Sequence, residues 1–186
     1  MQRDANGDIW VFGYGSLMWN PGFPHAEALP AVLRGYHRAF CLYSSYYRGT
    51  RERPGLVLGL DRGGVCRGKA FRITAGDAER ALHYLIDREM RGEDVYLLRW
   101  REVAMVDRRV TAACFVVNRK HKDYAGRLTP DRVAEIVGGA TGQTGRNRDY
   151  LLNTVQHLHE IGVRDTNLHK VCDLLLTAQP VQPNSV

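Results

Sequence analysis

The chain has 186 residues, 44% hydrophobic and 25% charged, with a net charge of +6, which reads as one soluble globular domain over residues 1–186. No apolar run approaches the roughly 18 residues needed to cross a bilayer, and the polar start from Met1 to Asp8 lacks a signal-peptide core. The expectation is therefore a cytoplasmic protein with loose ends at residues 1–8 and 179–186 and no membrane partner.

In chain order, residues 9–13 read as a first, buried strand that breaks at Gly13-Tyr14-Gly15-Ser16. Asn20-Pro21-Gly22-Phe23-Pro24 is a loop, since two prolines and a glycine exclude regular structure. Residues 31–43 carry Val32, Leu33, Tyr36, Phe40 and Leu42 and read as a long strand kinked at Gly35. An arginine-rich loop over 44–54 follows. Residues 55–61 and 65–73 read as a hairpin turning at Asp61-Arg62-Gly63-Gly64. Asp77 is placed to cap a helix over 78–91, and residues 95–106 and 110–118 form two more strands around Asp107-Arg108-Arg109. Thr129-Pro130 opens a helix to Val137, followed by a glycine-rich loop over 138–145. Asn147 and Asp165 then stand at cap positions before two helices bearing Leu151, Leu152, Val155 and Leu158, and Leu168, Val171 and Leu175. The class is α+β, with enough strands to curl into a barrel.

Two stretches carry candidate chemistry. A strand ending in Gly13-Tyr14-Gly15-Ser16 can aim consecutive N–H groups at an anionic ligand, although the same glycines also serve a plain tight turn. On the helix from Ala78, Leu82, Leu85 and Ile86 mark the buried stripe. Glu89 falls on it, seven residues after Leu82 and four after Leu85, while Asp87, Arg88 and Arg91 point elsewhere. A carboxylate held in an apolar setting has a raised pKa and suits general acid/base work. Periodicity alone leaves a second reading open, in which the helix frays near Arg88, or Glu89 pairs with a buried arginine.

Other chemistries are excluded by spacing. Gly63 to Ala70 has the outline of a phosphate loop, but Ala70 replaces the magnesium-binding hydroxyl and strand follows it. Ser16 lacks the flanking glycines of a nucleophile elbow, and Met18 and Pro21 break any dinucleotide fingerprint. Neither the seven histidines nor Cys41, Cys66, Cys114 and Cys172 form a metal-ligand set, so the cysteines read as buried thiols. The basic residues are scattered and match no nucleic-acid-binding pattern. No metal, cofactor or nucleic acid is expected.

The stretch Val11-Phe12-Gly13-Tyr14-Gly15-Ser16-Leu17-Met18-Trp19 resembles the signature of the ChaC-type, glutathione-specific γ-glutamylcyclotransferases. The likeness continues through Arg34 to Phe40, Arg48-Gly49, Pro54-Gly55, Tyr84 to Met90 and Gly145 to Leu151. Leu17 and Trp19 favour this branch over the sister branch that acts on other γ-glutamyl compounds. Asp149 departs from the Glu expected before Tyr150. The resemblance implies a small β-barrel flanked by helices and cofactor-free cleavage of glutathione, a small-molecule substrate, to 5-oxoproline and cysteinylglycine. It also implies Glu89 as the catalytic residue, with Val11, Phe12, Gly13, Tyr14, Gly15, Ser16 and Leu17 binding substrate. Tyr150 is a candidate for a further substrate contact, with a core or lid role as the alternative. A cyclotransferase for other γ-glutamyl amino acids or amines, and a non-catalytic binding module on the same barrel, are the alternatives.

Overall fold

Every residue of β1 (Ile9–Gly13) is buried, because the strand is packed on both of its faces. Trp10 and Phe12 join Leu33, Leu60, Cys66, Ala70, Val103, Ala112 and Cys114 in one apolar cluster. Ile9 and Val11 point the other way, into a second cluster with Phe71, Ile73, Ala113 and Phe115. Alternation along a strand sends successive side chains to opposite faces, so a strand buried on both sides reads as an unbroken apolar run. The computed structural model describes residues 1–90 and 94–177, and these fall into two compact units. The first is Met1–Leu42 with Leu58–Gly126, and the second is Tyr43–Val57 with Arg127–Val186.

The first unit holds the barrel. Its strands are β1, β2 (Glu27–Ser44), β3 (Gly55–Ile73), β4 (Tyr96–Ala104) and β5 (Arg109–Val117), and the last residues of β2 and the first of β3 run into the second unit. They close in the order β1-β3-β2-β4-β5. β1 lies antiparallel to β3, from Ile9 opposite Ile73 to Gly13 opposite Lys69. It lies parallel to β5, with Trp10 opposite Ala112, which seals the ring. β4 and β5 form the hairpin read from the sequence, with Ala104 paired to Arg109. The helix α1 (Ala78–Met90) covers the second cluster through Ala78, Ala81 and Leu85, with Leu82, Ile86 and Met90 packed against it. Arg91, where the sequence reading ends this helix, lies outside the described residues, as does the tail expected over 179–186.

Two expectations are corrected in this unit. The hairpin over 55–73 is one strand, bent but not reversed. Gly63 and Gly64 have φ of 101° and 71°, values that a turn also uses. The chain nevertheless runs on, and residues 69–73 pair with β1. The start of the chain is also held. Asp4 Oδ1 accepts the N–H groups of Asn6 and Asp8 at 2.9 and 3.0 Å. Asp8 in turn accepts from Arg72 at 2.6 Å and from Ala75 N–H at 2.8 Å. At α1, Asp77 takes the Thr74 hydroxyl and the Arg80 guanidinium on its carboxylate.

The second unit contains α2 (Pro130–Gly139), the two-residue strands β6 (Thr141–Gly142) and β7 (Gly145–Arg146), α3 (Asn147–Glu160) and α4 (Thr166–Thr177). Thr129 caps α2 by accepting the Arg132 N–H, and Asp165 accepts the Leu168 N–H at 3.2 Å ahead of α4. The stretch read as a glycine-rich loop over 138–145 instead ends α2 and builds the β6–β7 ladder. Asn147 is not a cap. It is fully buried and meets one residue twice, accepting from Leu56 N at 2.6 Å and donating to Leu56 O at 2.8 Å. The four cysteines form no disulfide. Cys41, Cys66 and Cys114 are buried, and Cys172 is only half-buried.

Candidate active site

Beyond Gly13 the chain leaves β1 and turns through a single 3-10 turn, Ser16–Met18. Met18 N–H donates to Gly15 O at 2.9 Å and Asn20 N–H to Ser16 O at 2.8 Å. The ladder of this turn thus begins at Met18, leaving the Ser16 and Leu17 N–H groups outside it. From beneath, the buried Arg38 donates through Nε to Tyr14 O and through Nη2 to Arg67 O at 2.7 Å. Lys69 Nζ donates to Met18 O at 3.2 Å. Arg38 is therefore a prop for this loop. Val11 and Phe12 commit their side chains to the two apolar clusters, and Leu17 is buried in the second. Tyr14 is buried as well, so within 11–17 Ser16 alone is half-exposed. Gly13 and Gly68 approach closely here, since a Cβ on Gly68 would overlap the Gly13 carbonyl oxygen.

Across from this loop runs the last turn of α1. The Glu89 side chain is 17% exposed, on the stripe that helix periodicity assigned to it. Burial pushes its carboxyl above the usual glutamate value, and the Arg88 charge opposes that rise. Arg88 departs from the sequence reading, which sent it to solvent. Its Nη1 donates to Asn20 O at 2.9 Å, Pro21 O at 3.2 Å and Tyr84 Oη at 3.1 Å. Its Nη2 donates to Ser16 Oγ at 3.1 Å, and its Nε stands 3.5 Å from Glu89 Oε1. One guanidinium thus links the serine of the loop to the carboxylate of the helix.

Arg88 is the residue that the helical pattern missed. The pattern gives the direction in which a side chain leaves the axis, whereas an arginine is long enough to fold back over a neighbouring loop. The available signal was Tyr84, four residues earlier and so on the same face.

Tyr150 lies in the second unit, in the first turn of α3. There the Arg48 guanidinium sits 4.8 Å from its ring centre while donating to Thr144 O at 2.8 Å. Among the described residues, no group of three or more His, Cys, Asp or Glu side chains could hold a metal ion. None of the described helices is long and apolar enough to cross a membrane.

A closed five-stranded barrel accompanied by helices is the γ-glutamylcyclotransferase fold. A solved yeast γ-glutamylcyclotransferase specific to glutathione superposes with a TM-score of 0.84 at 21% identity, over 94% of this chain and 98% of its own. At that identity the match speaks for the fold. The chain belongs to the ChaC-like protein family, whose model matches residues 9–178. A relative from Escherichia coli (strain K12), named glutathione-specific gamma-glutamylcyclotransferase, is 36% identical over 95% of this chain and 75% of its own length. The mouse glutathione-specific gamma-glutamylcyclotransferase 1 is 30% identical over 92% of this chain and 80% of its own.

Proposed function

We propose that this chain is a glutathione-specific γ-glutamylcyclotransferase. It releases 5-oxoproline and cysteinylglycine, with Glu89 as its catalytic residue. The observation that carries the reading is the half-buried Glu89 carboxylate, raised in pKa by burial and joined through Arg88 to Ser16. The names of the bacterial and mouse relatives support glutathione as the substrate.

The reaction is internal to the substrate. The α-amine of the γ-glutamyl group attacks its own γ-carbonyl carbon, forming the C–N bond of a five-membered ring. The amide C–N bond to cysteine then breaks. Fixing a reactant in such a pose can lower a barrier by roughly 7–11 kcal/mol at best. The protein must still move one proton. Glu89 takes it from the attacking amine and returns it to the departing nitrogen, and a carboxylate of raised pKa suits both halves of that transfer. The backbone from Val11 to Leu17, with Gly13, Tyr14 and Gly15 at its bend, holds the γ-glutamyl end and steadies the oxyanion. Ser16 contributes its hydroxyl as a hydrogen-bonding group. The working compartment is the cytoplasm, where four cysteines outside any disulfide stay reduced.

The test is purified protein with glutathione, followed by mass detection of both products, beside Glu89→Gln. The variant is expected to lose about 10²- to 10⁴-fold in turnover. Equal release by both proteins would remove Glu89 from its role. Release only from other γ-glutamyl compounds would move the substrate assignment to the sister activity.

A further inference from the structure

The Arg88 guanidinium gathers acceptors from both ends of the loop that follows β1. Ser16 Oγ belongs to its near end and the Asn20 and Pro21 carbonyls to its far end. Gly22 extends the same contact. It has φ of +75°, and a Cβ there would fall on the Tyr84 hydroxyl, so the loop sits directly on the Tyr84–Arg88 face of α1. A guanidinium presents several donors in a planar fork and can hold such separated acceptors together, which an ammonium cannot.

We infer that Arg88 is a positioning residue that latches the 14–22 loop to the last turn of α1, keeping Ser16 and the Glu89 carboxylate in one fixed geometry. Its catalytic consequence rests on the cyclotransferase reading above. Ring closure depends on pose, and a misplacement near 1 Å can cost about 100-fold in rate. Arg88 acts through the two groups it holds and not on the substrate itself.

The experiment compares the native chain with Arg88→Gln, Arg88→Lys, Ser16→Ala and the Arg88→Gln/Ser16→Ala double variant. It measures kcat and KM for glutathione together with amide hydrogen exchange. In Arg88→Gln, kcat/KM falls by about 100-fold, and the Met18 and Asn20 amides, bonded within the loop in the native chain, exchange faster. The β5 amides over 110–117 stay protected, which separates a released loop from general unfolding. Arg88→Lys keeps the charge but loses the fork, so it too falls below native, and it serves in place of Arg88→Gln if that variant does not fold. Ser16→Ala, costly in the native background, adds less than about two-fold once Arg88 is gone, because coupled residues are not additive. Unchanged exchange at Met18 and Asn20, or independent multiplication of the two substitutions, overturns the latch. If the native protein releases no 5-oxoproline, the cyclotransferase reading fails by itself. The exchange measurement then still decides the latch.

Discussion

The burial of Glu89 that suits it to proton transfer also opposes folding once the group is charged. Its folded-state pKa is raised above the usual 4.5, with burial the larger cause and Arg88 the opposing one. A raised carboxyl holds its proton more tightly in the folded chain than in the unfolded one. The stabilising contribution is thus complete below the unfolded value and is lost as pH climbs through the folded value. At neutral pH the native chain therefore carries a cost that an uncharged amide of the same shape does not. Glu89→Gln is expected to be the more stable protein at pH 7–8, by about 1 kcal/mol or about 2–4 °C in Tm for a chain of this length. The gap should close toward pH 4. Thermal melts of both proteins across that range check it, and a variant that melts lower than native at neutral pH contradicts it. At this scale the sequence was informative about Glu89, because an apolar helical stripe is a property of the chain alone. For Arg88 it offered only Tyr84 on the same face, because the Ser16, Asn20 and Pro21 acceptors lie more than sixty residues away in the loop after β1.

Where a residue serves two elements at once, local sequence signals mislead. Asn147 precedes an apolar helical run and so has the look of a cap, yet its amide pairs with both the N–H and C=O of Leu56, as a neighbouring strand would. Gly63-Gly64 has the look of a hairpin turn for a similar reason. The glycines do adopt positive φ, but β3 finds its partner in β1 and not in itself. Pairing across such distances is decided by the closed barrel, which no local window contains. By contrast β1, α1, the β4–β5 hairpin and the Thr129 and Asp165 caps were legible, since each is specified by residues close in the chain. The Asn147 contact gives an expectation at the level of the element. Asn147→Ala leaves a buried N–H and a buried C=O of Leu56 without their partner, at about 1–3 kcal/mol for each group. The denaturant midpoint should fall accordingly, and the fastest-exchanging amides should be those near Leu56 and the start of α3. A loss of unfolding free energy under about 0.5 kcal/mol would mean that the Leu56 groups find other partners.

For the whole molecule, the open matter is whether the two compact units melt together. The chain passes between them three times, after Leu42, after Val57 and after Gly126. Two of these crossings fall inside continuous strands, since β2 runs from Glu27 to Ser44 and β3 from Gly55 to Ile73. A domain boundary ordinarily lies in an exposed linker that can be cut or lengthened without disturbing either side. A boundary inside a hydrogen-bonded strand has no such freedom, because loss of one part of the strand releases the register of the other. The 186 residues are also within the size of a single cooperative domain. We therefore expect one calorimetric transition whose van't Hoff and calorimetric enthalpies agree. Asn147→Ala, a substitution in the second unit, would then lower the same transition that reports on the barrel in the first. Two resolved transitions, with Asn147→Ala moving only one of them, would make the units separate domains and overturn the single-domain reading. A shared transition would instead mean that damage to α3 reaches Glu89 through the stability of the whole chain, so activity in such variants has to be normalised to the folded fraction before any role is assigned to Tyr150.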